Sequence, residues 1–144
     1  MIATLHLAKE LRDRIAAEAR AAFPKECCGL IEGTRKGQSA HATAIHPTSN
    51  LADAPDRFAI DPAEQIRVMR AAREAGRAII GCYHSHPNGR AEPSAIDLEN
   101  AFEEDFLWLI AAIEPGAEAR LSAHIFRSGA FAPVCLARAQ GAKV

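Results

Sequence analysis

The chain reads as a single α+β sandwich, and three observations predict it. Segments with helical spacing are mixed with apolar, strand-like runs in an irregular order, not in a repeating βα rhythm. Its 144 residues are 49% apolar, enough to bury one core and typical of one domain. No repeat, low-complexity tract or linker divides the sequence, so one domain spanning 1–144 is expected.

Residues 1–7 alternate loosely and predict a short strand. From Ala8 to Ala22 the chain is rich in Ala, Leu, Arg and Glu, with Leu11, Ile15 and Ala19 at helical spacing. Phe23-Pro24 closes that helix. Glu26 to Gly33 is a glycine-bounded strand, and residues 39–46 are its partner across the turn-like Thr34-Arg35-Lys36-Gly37. His46 to Asp56 is a polar loop with two prolines, followed by a short strand over Arg57–Ile60. Asp61 is an N-cap with proline at N1, and the helix it starts runs through Ile66, Met69 and Arg73 to Gly76. Residues 78–84 are continuously apolar, which predicts a buried central strand. After a loop over 87–93, Ser94 opens a helix reaching about Glu103. Strands over 106–113, 120–127 and 131–137 complete the fold.

Charge narrows the partners. With 17 basic and 18 acidic residues the formal charge is -1, so no field favours nucleic acid or an anionic membrane. No apolar run approaches the roughly 20 residues of a spanning helix. The N-terminus lacks a basic n-region and runs into the charged Lys9-Glu10-Leu11-Arg12-Asp13, unlike a signal peptide. Cys27, Cys28, Cys82 and Cys135 form neither a zinc-ribbon spacing nor a disulfide framework, so a cytoplasmic protein with mostly reduced thiols is expected.

The chemistry concentrates in His84-Ser85-His86 and in Ser94-Ala95-Ile96-Asp97. Residues i and i+2 of a strand share a face, so both imidazoles reach one ion while Ser85 points away. The loop turns the chain back and brings Asp97 into the first turn of the next helix. Two histidines and a carboxylate suit zinc with one open position, the mark of a catalytic site. Ser94-x-x-Asp97 is also a capping box, and a cap can leave its hydroxyl exposed and its carboxylate near a metal. Cys82, two residues before His84, is either a soft competing ligand, a neighbour of Cys28 or Cys27, or a plain buried thiol. His46 and His124 read as structural, and His6 and His41 carry no signal.

The pattern His84-x-His86-x(7)-Ser94-x-x-Asp97 with upstream Glu26 resembles the JAMM signature of the MPN+ zinc metallopeptidases. The resemblance extends through Pro24 to Leu30, Phe58 to Asp61 and Gly81 to Pro87. It implies an MPN/JAMM-type, cytidine-deaminase-like mixed sheet flanked by helices. His84, His86 and Asp97 are then the ligands of one catalytic Zn2+. Glu26, a non-ligating carboxylate, is the general base and proton carrier, and Ser94 is the oxyanion donor. Both roles make physical sense, because amide hydrolysis needs a positioned base and a donor for the developing charge. Asn50 and its loop border the substrate groove in that reading, although a turn role explains Asn50 equally well.

The compact chain is similar to stand-alone bacterial and archaeal members of that family. The resemblance implies a peptidase or isopeptidase acting on the C-terminal Gly-Gly tail of a small ubiquitin-like sulfur carrier or its adduct, and is compatible with a homodimer. A non-catalytic MPN scaffold or dimerisation module is the alternative. A zinc deaminase is disfavoured because H-x-E and P-C-x-x-C are absent. The H-E-x-x-H helix of other zinc proteases is absent too.

Overall fold

A computed structural model describes residues 1–138. Seven strands and three helices follow in the order β1 (Thr4–His6), α1 (Lys9–Ala22), β2 (Cys28–Lys36), β3 (Ser39–Thr48), α2 (Pro62–Glu74), β4 (Ala78–His86), α3 (Ala95–Asn100), β5 (Leu107–Ala112), β6 (Arg120–Arg127) and β7 (Ala130–Ala137). The mixed sheet has the order β1-β3-β2-β4-β5-β6-β7. It differs from the expected sandwich: the sheet closes as a barrel, because the three-residue β1 pairs in parallel with both β3 and β7. The alternation of residues 1–7 predicts this strand but not its two partners, and pairing with both removes both sheet edges.

β4 is central, antiparallel to β2 and parallel to β5, with α3 as the crossover between β4 and β5. Two apolar clusters sit on its two faces. Ile15 and Ala19 of α1 join Ile31, Tyr83 and Leu109, while Ala72 of α2 joins Leu30, Cys82 and Trp108. Residues from both faces of β4 are buried, as continuous apolar runs predict. Among the described residues no helix is long and apolar enough to cross a membrane.

Three local expectations change. The first hairpin turns later, because β2 continues to Lys36 and pairs with Ser39, leaving Gly37 at φ 60° in the turn. Arg57–Ile60 is no strand, and only an Asn50–Ile60 bridge forms. The Asn50 side chain explains this: its amide donates to Arg57 O (3.2 Å) and accepts from Ala59 N (3.0 Å), taking groups a partner strand would use. α3 stops at Asn100, short of Glu103, so that the chain can enter β5 beside β4.

Gly29 of β2 lies against the buried Tyr83 ring, whose hydroxyl donates to the Glu18 carboxylate at 2.9 and 3.0 Å. A Cβ at position 29 would run into that ring. Gly29→Ala is therefore expected to destabilise the protein by about 2–3 kcal/mol through overpacking, measured by urea unfolding.

Candidate metal centre

The C-terminal end of β4 and the start of α3 bring His84, His86 and Asp97 together, all buried. Nε2 of His84 lies 3.0 Å from Nε2 of His86. Oδ2 of Asp97 lies 3.2 Å from the first and 3.0 Å from the second. Four ligands about 2.0–2.1 Å from a tetrahedral zinc stand about 3.3 Å apart, close to the edges of this triangle. With Nδ1 of His86 donating to Arg90 O, its Nε2 is an acceptor 3.0 Å from a carboxylate oxygen of Asp97, and two acceptors meet so closely only with a proton or a cation between them. The donor set therefore fits a divalent metal ion, and these three residues could hold one.

Each of the three side chains is held by its surroundings. His86 donates Nδ1–H to Arg90 O at 2.9 Å, which turns the Nε2 lone pair toward the cluster. His84 has no partner at its buried Nδ1 and is held by packing. Phe58 stacks on it at 4.5 Å, and Trp108 meets it edge-on at 5.8 Å. Asp97 sits in a complete capping box: its Oδ2 accepts from Ser94 N (2.8 Å), and Ser94 Oγ accepts from Asp97 N (3.0 Å). Burial alone would raise the Asp97 pKa. Hydrogen bonds and charge from His84 and His86 outweigh burial and hold it well below the usual carboxylate range. Burial lowers the pKa of His84, whereas hydrogen bonding and attraction to Asp97 outweigh burial at His86 and raise it.

Glu26 is only 4% exposed, and its Oε1 has no hydrogen-bond partner. It precedes β2 instead of lying within it, and it lines a cleft of about 600 Å3 together with His86 and Ser94. Its chain position is fixed on both sides. Asn50 donates to Glu26 O (3.0 Å), and the next peptide N–H, that of Cys27, donates to Ser85 Oγ (2.7 Å). Burial is the main reason that its pKa rises to about 8; His86 opposes this, and Asp97 and Asp56 add to it.

That shift has a thermodynamic signature in metal-free protein. A folded-state pKa above the unfolded one favours the fold at low pH, and the contribution is lost as pH rises through about 8. Asp97 has the opposite sign, losing its contribution only as pH falls below the carboxylate range. Measured against Glu26→Gln in chelator, wild-type stability is expected to fall by on the order of 3 kcal/mol between about pH 5 and about pH 8. A difference that stays constant with pH would contradict the raised Glu26 pKa.

Sequence reasoning missed Phe58 and Ser85, whose roles depend on contacts across strands with no spacing pattern to reveal them. Asn50 satisfies all four hydrogen-bonding positions of its amide, to Glu26, Arg57, Ala52 and Ala59. Of the alternatives for Cys82, burial is the outcome: all four cysteines are free, and Cys82 packs beside Leu30 and Trp108 outside the ligand cluster. His46 bonds buried Glu32 at 2.9 Å, and His6 stacks on His41, both away from the cluster.

The family model of prokaryotic homologs of the JAB domain matches residues 8–124, which contain every residue of this centre. The chain belongs to this family. It is similar to the desampylase of Haloferax volcanii, 33% identical over 92% of this chain and 95% of that protein. The CysO-cysteine peptidase of Mycobacterium tuberculosis is 31% identical over 72% of this JAB chain and 69% of its own. A solution structure of a Desulfitobacterium hafniense protein superposes with a TM-score of 0.83 at 31% identity, over 97% of this chain and 94% of that one.

Proposed function

We propose that this JAB-family hydrolase is a zinc-dependent peptidase or isopeptidase cutting the amide bond at the Gly-Gly tail of a small ubiquitin-like sulfur carrier. One observation carries the reading: a buried, partnerless carboxylate, Glu26, shares a cleft with a metal-ligand triangle. The names of its relatives, a desampylase and a CysO-cysteine peptidase, support cleavage of ubiquitin-like carrier conjugates. His84, His86 and Asp97 would hold the zinc, which would supply Lewis acidity toward water and an amide carbonyl.

The chain's own groups do the rest. Glu26 accepts the proton of the attacking water and delivers it to the leaving amine. Ser94 Oγ accepts from Asp97 N–H, so its own hydroxyl proton is free to stabilise the tetrahedral oxyanion. Phe23, Pro24, Pro55, Pro87 and Ile96 give the cleft apolar walls. A tail of glycines can lie extended between them with its backbone close to the centre. The free thiols fit a cytoplasmic enzyme, and a charge of -1 gives no reason to expect nucleic acid or membrane.

A non-catalytic scaffold is disfavoured, since leaving a buried carboxylate oxygen unpaired costs about 1–3 kcal/mol with no structural return. The test is to incubate zinc-loaded protein with Gly-Gly-tailed carriers extended by cysteine, by a peptide or through a lysine isopeptide, and to weigh the products. A carrier ending in Gly-Gly is expected from at least one. Full zinc occupancy with no product from any of the three would favour the scaffold.

A further inference from the structure

We propose that a row of side chains on β6 (Arg120, Ser122 and His124) positions the metal ligand His86 by aiming the Arg90 carbonyl at it. The inference rests on the zinc reading and adds to it residues that touch neither the metal nor the substrate.

Three cross-strand rows place the two groups on one face of the sheet. His86 is in register with Ala112 and Arg120, His84 with Ile110 and Ser122, and Cys82 with Trp108 and His124. Arg120, Ser122 and His124 are alternate residues of one strand, so they point the same way. The loop leaving His86 turns at Gly89 (φ 80°), where Gly89 N–H donates to His86 O at 3.2 Å. It then lies across that face. Arg120 donates to Gly89 O at 2.6 Å. Ser122 Oγ donates to Ala91 O at 2.6 Å, and His124 Nε2 lies 3.2 Å from the same oxygen.

Gly89 O and Ala91 O are both held against β6, and the carbonyl between them is that of Arg90. Its oxygen meets His86 Nδ1 at 2.9 Å. That bond fixes the tautomer with the proton on Nδ1, leaving Nε2 unprotonated toward the ligand cluster. The same stretch leads directly into Ser94 and Asp97 at the start of α3.

Ser122 Oγ and His124 Nε2 also lie 3.0 Å apart, so the two side chains that meet Ala91 O meet each other.

The test uses Arg120→Ala, Ser122→Ala and the pair, with Ser122→Thr as the conservative variant that keeps a hydroxyl. Zinc affinity is measured by competition with a chromophoric chelator, and the melting temperature with and without zinc. The pair is expected to weaken zinc binding by about 10–100-fold. Ser122→Thr is expected to restore most of the loss due to Ser122→Ala. A purely structural role would lower the melting temperatures with and without zinc by the same amount; positioning shrinks the increment that zinc adds.

Unchanged affinity in the pair would overturn the proposal while leaving the zinc centre intact. Failure of wild-type protein to bind zinc would overturn both. Should the variants not fold, wild type decides alone: long-range 1H–15N spectra of zinc-loaded protein must show His86 protonated at Nδ1. Zinc on Nδ1 would overturn the proposal.

Discussion

Replacing Glu26 by Gln is expected to lower turnover by about 10²–10⁴-fold while zinc stoichiometry stays at one per chain. Gln keeps the volume and the polar tip but cannot take a proton from water. Glu26 is outside the group of ligand atoms, so its loss removes no metal bond. Its carboxyl already lies in a buried site where desolvation favours the protonated form, raising the pKa to about 8. A cation in the adjoining cluster favours the carboxylate and draws that value back toward neutrality, where a base works best. On the proposed reading the loss falls on kcat, since the cleft walls and not this oxygen would grip the tail. Parallel metal analysis and steady-state kinetics on Glu26→Gln check the expectation. Turnover within a few-fold of wild type would remove the base assignment.

The centre was legible in the sequence because its parts obey short periodicities. His84 and His86 share a face by the two-residue period of a strand, and both lie within β4. Asp97 occupies the third position of a helix opened by Ser94, a spacing that sets the cap and also brings the carboxylate to the two histidines. Glu26 was different. Local alternation placed it within a strand, whereas it stands just ahead of β2, and what aims it into the cleft is Asn50 and Ser85 gripping the backbone on either side. Those bonds join residues 24 and 58 positions apart, and no local pattern carries them.

For the fold, long apolar runs were read correctly and closure was not. The three terminal strands and both long helices match because burial imposes period or continuity on them. Barrel closure depends on three residues of β1 bonding to two strands at once, so its signal lies in geometry and not in composition. Arg57–Ile60 shows the reverse case. The segment has strand-like residues, yet the Asn50 side chain satisfies the backbone groups that pairing would need. It becomes instead the loop that lays Phe58 on His84.

The two meanings of Ser94-x-x-Asp97 can be separated by a pair of substitutions. Asp97→Asn keeps an oxygen able to accept from Ser94 N–H, so the cap survives, but it removes the charge facing two imidazoles. Zinc affinity is expected to fall by more than the 10–100-fold typical of losing an outer partner. The stabilisation that zinc confers, about 4 kcal/mol at a thousandfold excess over Kd, should shrink accordingly. Ser94→Ala removes the cap acceptor and the hydroxyl donor yet leaves all three ligands in place. It is expected to cost about 1 kcal/mol of stability and about 10²–10³-fold in kcat, with zinc retained. If the pair served only to cap α3, Ser94→Ala would cost stability alone and neither change would touch zinc. Titrating both variants with zinc, alongside their melting temperatures in chelator, distinguishes a ligand that also caps from a cap that merely lies near two histidines.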